Sequence, residues 1–373
     1  MLLINAMIPM GNEFVSNMCV RLENGCIAEI GAALPPKADE AVIDLGGDYL
    51  LPGFVDVHTH AYKGCDTMQG EAAVRHMSRE LYDVGVAAFL PTTMSAFVEE
   101  TREAVAGVRA VMQQPEARGA RVLGAHMEAP FLNVAKCGAQ RPECLCDPSW
   151  EAFMTMTDGD PSAVKIMTMA PELPGAEAFI RKATEAGVNI SLGHTAATAE
   201  IAHSAASWGA NHVTHTFNAQ PALHHREPGL TGATLVDDRL YAEFISDGVH
   251  LHDDIVRLIC RAKGAERAMA ITDAMEAAGM PDGEYALGGQ PVIVKDGQAR
   301  LKSGTLAGSV LTMKQALHNL IHRFGIAPVE AVRMCTATPA ECIGEAVCGH
   351  MVVGSPVPLT RWSKDWEFVS IVE

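Results

Sequence analysis

The chain is short of positive charge and has no long apolar run, and each shortage narrows what it can do. It carries 28 basic against 45 acidic residues, a formal net charge of -17, so it repels phosphate backbones and anionic membrane surfaces. Nucleic acid is not expected as a partner, although a local basic pocket for one small anion stays compatible with that balance. No stretch approaches the roughly 18 apolar residues of a membrane span, so no membrane association is expected. The opening "MLLINAMIPMGNEF" has no basic segment ahead of a long apolar run and no small-residue cleavage site, which makes the cytoplasm the expected location. Low-complexity segments are missing too, and 48% hydrophobic with 20% charged residues is the composition of a folded globular protein. Of ten cysteines only Cys144 and Cys146 stand close together, in a loop-like stretch without a second pair, so free thiols are expected. A Gly-rich dinucleotide loop after the first long strand is also absent, which weighs against an open doubly wound sheet.

What is present has a regular rhythm. The first fifty residues read as short strands, with Asn24-Gly25 as a hairpin turn between β-rich runs. From residue 52, apolar strand segments alternate with amphipathic helical stretches. The strands are "GFVDVHTH", "VAAFLPTTM", "RVLGAHMEAP", "AVKIMTMAPE", "VNISLGH", "NHVTHTFN", "YAEFISDGVH" and "AMAITDA". Helices such as "EAAVRHMSRELYDVG" and "HDDIVRLICRAKG" lie between them, several ending at Gly. Eight such units in a row predict an α/β protein with a (β/α)8 TIM-like barrel. After the eighth strand come a hairpin around Asp296-Gly297, the helical stretches "LTMKQALHNLIHRFG" and "PVEAVRMCTATPAECIG", and a β-like tail. The tail is expected to pair with the N-terminal strands. That places a small β-sandwich domain at residues 1–51 plus 345–373 and the barrel at 52–344.

In a barrel of this type the chemistry sits at the C-terminal ends of the strands. The first strand ends in His58 and His60, which face the same way because strand side chains alternate. The third reaches His126 and Glu128, the fifth His194, and the sixth carries His212, His215 and Asn218. The seventh ends in Asp247 and His250, the eighth in Asp273. So many metal-ligand side chains at one rim predict a metal site; zinc suits the set best, with iron, manganese, cobalt or nickel also compatible. Lys165 lies near the start of its strand and reads as structural, whereas Glu128 is placed to bridge two ions. A divalent ion at such a site activates water and polarises a carbonyl. Asp273 can then take the water's proton and deliver it to a leaving amine, which is hydrolysis of a carbon–nitrogen bond.

The blocks "LPGFVDVHTH", "CDTMQG", "GAHMEAPFLN", "SLGHT", "HTFNAQPALHHREPGLTGATL", "SDGVHLH", "ITDAM" and "SGTLAGSVLTM", in this order, closely resemble the N-acetylglucosamine-6-phosphate deacetylase family of the amidohydrolase superfamily. The resemblance implies hydrolysis of the N-acetyl group of N-acetylglucosamine 6-phosphate to glucosamine 6-phosphate and acetate, a small-molecule amino-sugar phosphate as the partner, and a homodimer. It implies Glu128, His194 and His215 as main metal ligands, Asp273 as general acid/base, and His58 with His60 as the place of a second ion, giving one or two per subunit. It further implies Asn218 and Ala219 as sugar-phosphate contacts, Arg226 and His250 as substrate contacts with Arg226 on the phosphate, and Leu306 beside the acetyl group. His225 and Gln140 are further candidates for the substrate rim. The chain departs from the family pattern in its closing stretch "GSPVPLTRW" and at Ala61, where many members have Gly. Deacetylation of the galacto epimer, hydrolysis of another N-acyl compound and a non-catalytic sugar-phosphate-binding regulator are the alternatives.

Overall fold

Eight segments rich in Val, Ile, Phe and Ala form a ring of parallel strands in the computed structural model, which describes Met1–Glu373. They are β1 (Phe54–Thr59), β2 (Val86–Thr93), β3 (Ala125–Glu128), β4 (Val164–Met169), β5 (Asn189–Leu192), β6 (His212–Val213), β7 (Tyr241–Ile245) and β8 (Ala268–Ile271). Neighbours pair in chain order from β1 to β8. The ring closes just beyond the strand ends, where the Asp273 N–H donates to the His58 carbonyl at 2.8 Å and Thr59 bridges Ala274 in parallel. Every residue of β1 and β2 is buried, as expected of strands covered on both faces.

Helices cover the outside. In Glu71–Tyr82 the residues Val74, Met77 and Leu81 recur at helical spacing and are buried; each contributes roughly 1.5–3 kcal/mol of hydrophobic stabilisation. Asp253–Lys263 starts at His252, whose ring accepts the Asp254 N–H, and stops at Gly264 in the left-handed region, φ 63°. Two helices escape the sequence pattern. Trp150–Met156 is a short one capped by Ser149, and Gly229–Val236 contains two glycines and is held by burial rather than propensity. The expected helix from "PVEAVRMCTATPAECIG" is split into Pro328–Cys335 and Ala337–Cys342 at Thr336. Pro339 explains the break, because it has no N–H to offer the Cys335 carbonyl and its ring would clash there.

The two chain ends meet in one seven-stranded sheet. Leu2–Met10 lies beside Glu13–Glu23 on one side and Tyr49–Leu51 on the other, and Leu359–Trp362 joins Tyr49–Leu51 to the closing strand Phe368–Val372. Register shifts between Leu3 and Ile8 bend the first strand, so that Ile8, Val20, Leu50, Leu359 and Val372 share one core. The divergent tail therefore has a defined register, Thr360 opposite Leu51 and Leu359 opposite Val372. A three-stranded sheet, Gly283–Leu287, Gln290–Lys295 and Gln298–Leu301, includes the hairpin expected at Asp296-Gly297 and packs Leu287 and Val292 against Met94 at the barrel mouth.

Candidate active site

The polar strand ends converge because the chain turns sharply there. His194 and His215 each stand two residues past their strands, as does Asp273 after β8, and all three are in the left-handed region at φ 47°, 26° and 49°. For residues with a side chain such a conformation costs of order 1–3 kcal/mol and persists where the surrounding structure enforces it. The loop "GTLAGS" contributes to that enforcement. The Ser309 N–H donates to the Asp273 carbonyl at 2.7 Å, and a side chain on Gly308 would press against that carbonyl at 3.0 Å.

The candidate donor atoms form two lobes joined by Glu128. In one lobe, His194 Nε2 and His215 Nε2 lie 3.1 Å apart, each 3.2 Å from Glu128 Oε1. In the other, His58 Nε2 and His60 Nε2 are 3.3 Å apart, at 3.6 and 3.2 Å from Asp273 Oδ1, with Glu128 Oε2 3.3 Å from His60. Separations of this size are the edges of a tetrahedron whose corners stand about 2.0–2.2 Å from a central ion. All six side chains are buried or nearly so. Bare lone pairs of two imidazoles facing each other at 3.1 Å repel, and a cation between them removes the conflict. Electrostatics agree: burial alone would lower the His60 pKa, yet Asp273 and Glu128 hold it up at about 10, and Glu128 likewise holds His215 at about 9. Burial would raise the Glu128 carboxyl, but His58, His194 and His215 keep it well below the usual carboxylate range. The site holds fixed negative charge that calls for cations, and the donor set fits a divalent metal.

Support comes from below. Three of the four imidazoles hand their Nδ1–H to the protein: His58 to Glu243 Oε2 at 3.0 Å, His60 to the Thr92 carbonyl at 3.3 Å, and His194 to the Lys136 carbonyl at 2.9 Å. This leaves Nε2 of each free to meet an ion. His126 and His212, read as rim residues from sequence, are not at the rim. His126 Nδ1–H donates to the Val57 carbonyl at 2.9 Å and its Nε2 accepts the Thr168 hydroxyl at 2.7 Å. Burial above all pushes its pKa down to about 3, so it is neutral with both nitrogens occupied. His212 donates from Nε2 to Glu243 Oε1 at 2.7 Å. Glu243 itself carries no sequence signal of rim chemistry, since it sits in the middle of β7; a lone carboxylate in a buried strand was the available clue.

A cavity of about 380 Å³ opens above the lobes, a size typical of small-molecule sites. Of the substrate candidates, Asn218, Ala219, His250, Leu306 and Gln140 line it, together with His60, Glu128, His194, His215 and Asp273. His250 is oriented through Nδ1 by Asp247 at 2.7 Å. The Gln140 amide is committed to the cluster, donating to Glu128 Oε2 and accepting the Ser95 N–H, each at 2.7 Å. Arg226 and His225 are exposed, hydrogen-bonded to each other at 2.7 Å, and lie outside the cavity of their own chain. Lys136, not singled out from sequence, does line it.

This fold and donor set define a metal-dependent hydrolase on a (β/α)8 barrel. The model of the amidohydrolase family matches residues 49–369. The chain is 36% identical over 340 residues to N-acetylglucosamine-6-phosphate deacetylase of Lysinibacillus sphaericus, covering 90% of this chain and 87% of that one. It is 35% identical over 341 residues to N-acetylgalactosamine-6-phosphate deacetylase of Escherichia coli O157:H7, covering 90% and 88%. Its structure superposes with TM-score 0.91 and 30% identity, over 100% of this chain and 97% of the other, on a mutant N-acetyl-D-glucosamine-6-phosphate deacetylase of Mycobacterium smegmatis in complex with N-acetyl-D-glucosamine-6-phosphate. The chain belongs to the amidohydrolase family, in the group formed by these amino-sugar-phosphate deacetylases.

Proposed function

We propose that the protein hydrolyses the N-acetyl group of N-acetylglucosamine 6-phosphate, giving glucosamine 6-phosphate and acetate. The observation that carries this reading is the Glu128-joined donor cluster with Asp273 beside it, opening into one cavity with Asn218, Ala219 and His250. In this reading Glu128, His194 and His215 hold one ion and His58 with His60 a second, and zinc suits the donor set best. A bound divalent cation supplies Lewis-acid polarisation of the acetyl carbonyl and a lowered pKa for water. Asp273 accepts the proton that the attacking water gives up and passes it to the sugar nitrogen as the carbon–nitrogen bond breaks. Burial opposes its charge, but His60 and His58 keep its carboxyl below the ordinary range, so it starts as a base. Its backbone is fixed on both sides, by the His58 carbonyl and the Ser309 N–H, which spares reorganisation during the transfer.

Leu306 packs beside the acetyl methyl, and Asn218, Ala219 and His250 hold the sugar phosphate. Arg226 and His225, exposed on their own chain, serve the cavity of a second copy in a homodimer. The cytoplasm is the location we assign, and no helix is long and apolar enough to cross a membrane. The test is acetate release by zinc-loaded protein from N-acetylglucosamine 6-phosphate, its galacto epimer and the unphosphorylated sugar, beside an Asp273→Asn variant. Turnover that depends on the phosphate and collapses in the variant supports the reading. Binding of the sugar phosphate without hydrolysis would favour a regulator instead. The galacto epimer is a second reading with its own support, because relatives named for the two epimers match this chain at 36% and 35% identity; the ratio of kcat/KM values decides between them.

A further inference from the structure

We propose that Lys136 is the chain's own cation for the substrate's 6-phosphate, a specificity residue that selects phosphorylated over unphosphorylated sugar. The inference rests on the sugar-phosphate reading above and names what within one chain recognises the charge. An anion is not drawn to a protein with a net charge of -17 unless the site supplies a local counter-charge. Among the residues lining the cavity Lys136 is the only lysine or arginine. The remaining basic side chains there are four histidines: three belong to the donor cluster, and the fourth, His250, has its Nδ1 against Asp247 at 2.7 Å.

Its position is fixed rather than incidental. Lys136 stands in the short 3-10 turn Val134–Lys136, which Asn133 caps by accepting the Ala135 N–H at 2.9 Å. Its carbonyl takes the His194 Nδ1–H at 2.9 Å, which ties this turn to the donor cluster. The ammonium donates to the Gln220 carbonyl at 3.2 Å, a neutral acceptor, so its charge is not cancelled and further N–H donors remain. Gln220 directly follows Asn218 and Ala219, and the Ala219 N–H donates to no group within the chain. A full cation held against the turn that carries a free backbone N–H, with the His250 ring lining the same cavity, forms a receptor for a dianion. The rival is a tether that merely holds the Lys136 turn onto residues 218–220.

Kinetics of Lys136→Met and Lys136→Arg against wild type separate the two. The readouts are the ratio of kcat/KM for N-acetylglucosamine 6-phosphate over N-acetylglucosamine, and the inhibition constant of inorganic phosphate. Lys136→Met is expected to cut the ratio roughly 10- to 100-fold, mainly through KM of the phosphorylated sugar, and to raise the phosphate inhibition constant by a similar factor, as for a lost charged hydrogen bond. Lys136→Arg should keep most of both. A tether would slow both sugars alike, so an unchanged ratio and inhibition constant in Lys136→Met overturns the assignment. If wild type itself has no preference for the phosphorylated sugar, the substrate reading fails and takes the role of Lys136 with it.

Discussion

Glu243→Gln tests whether the metal centre is held from beneath. Glu243 is fully buried in β7 and accepts three hydrogen bonds, from His58 Nδ1–H and the His215 N–H at Oε2 and from His212 Nε2–H at Oε1. Burial opposes its charge, but His58 and His212 keep the carboxyl well below the usual range. An amide keeps the volume and offers one acceptor oxygen instead of two. With that oxygen toward His58 and His215, the new NH2 meets His212 Nε2, which becomes an acceptor by moving its proton to Nδ1, beside Cys342 Sγ at 3.1 Å. The reversed amide would instead force the His58 proton onto Nε2, where a lone pair is needed for an ion, so the first arrangement wins. Three bonds to a charged acceptor, about 1.5–3 kcal/mol each, then become neutral ones of about 1 kcal/mol, a loss of roughly 1.5–6 kcal/mol. Spread over 373 residues, that is a drop of about 2–8 °C in the melting temperature of metal-free protein. Metal affinity should fall about 10- to 100-fold, because His58 loses the carboxylate that aims it and makes it a better donor. Melting curves with and without metal, and metal counted after dialysis against graded chelator, read both effects. A variant that melts within about 1 °C of wild type and keeps its metal at the same chelator concentrations would refute the reasoning.

Asp273→Asn should lower kcat by about 10²–10⁴-fold while KM moves little, since the amide keeps shape but takes no proton; a rate within a few-fold of wild type would remove Asp273 as the proton carrier. Chelation should abolish activity and lower the melting temperature, with recovery on adding back zinc. In the metal-free protein, the raised pKa values of His60 (about 10) and His215 (about 9) mean the folded state binds more protons than the unfolded one. Their contribution is complete below the ordinary histidine pKa of about 6.5 and lost as pH rises through 9 to 10, so metal-free protein should melt lower at pH 10 than at pH 7. Metal-loaded protein, whose ring nitrogens carry no such protons, should not follow that slope. If Arg226 serves the neighbouring subunit, mixing inactive Arg226→Ala and Asp273→Asn chains should restore activity in heterodimers, where one site has both groups; no recovery from demonstrably mixed dimers places Arg226 outside the chemistry.

The barrel was legible because its strands, covered on both faces, read as apolar runs with the chemistry confined to their last residues. Gly229–Val236 was not, because two glycines erase the local signal and only burial makes it a helix. In the site, residue type and strand position were enough to mark the residues that the fold brings together as a donor cluster, but they could not rank histidines of similar placement. His58 and His126 both stand near the ends of buried strands. What separates them is where each second nitrogen goes: His126 has both nitrogens bonded within the fold, whereas His58 gives Nδ1 to Glu243 and keeps Nε2 for the centre. That difference is set by strands far apart in sequence, so no local pattern records it. Glu243 shows what a closer reading can extract. A carboxylate in the middle of "YAEFI" cannot be buried alone without a penalty of several kcal/mol. It therefore demands donors on the neighbouring strands, and strand order alone makes His212 on β6 a nearby candidate.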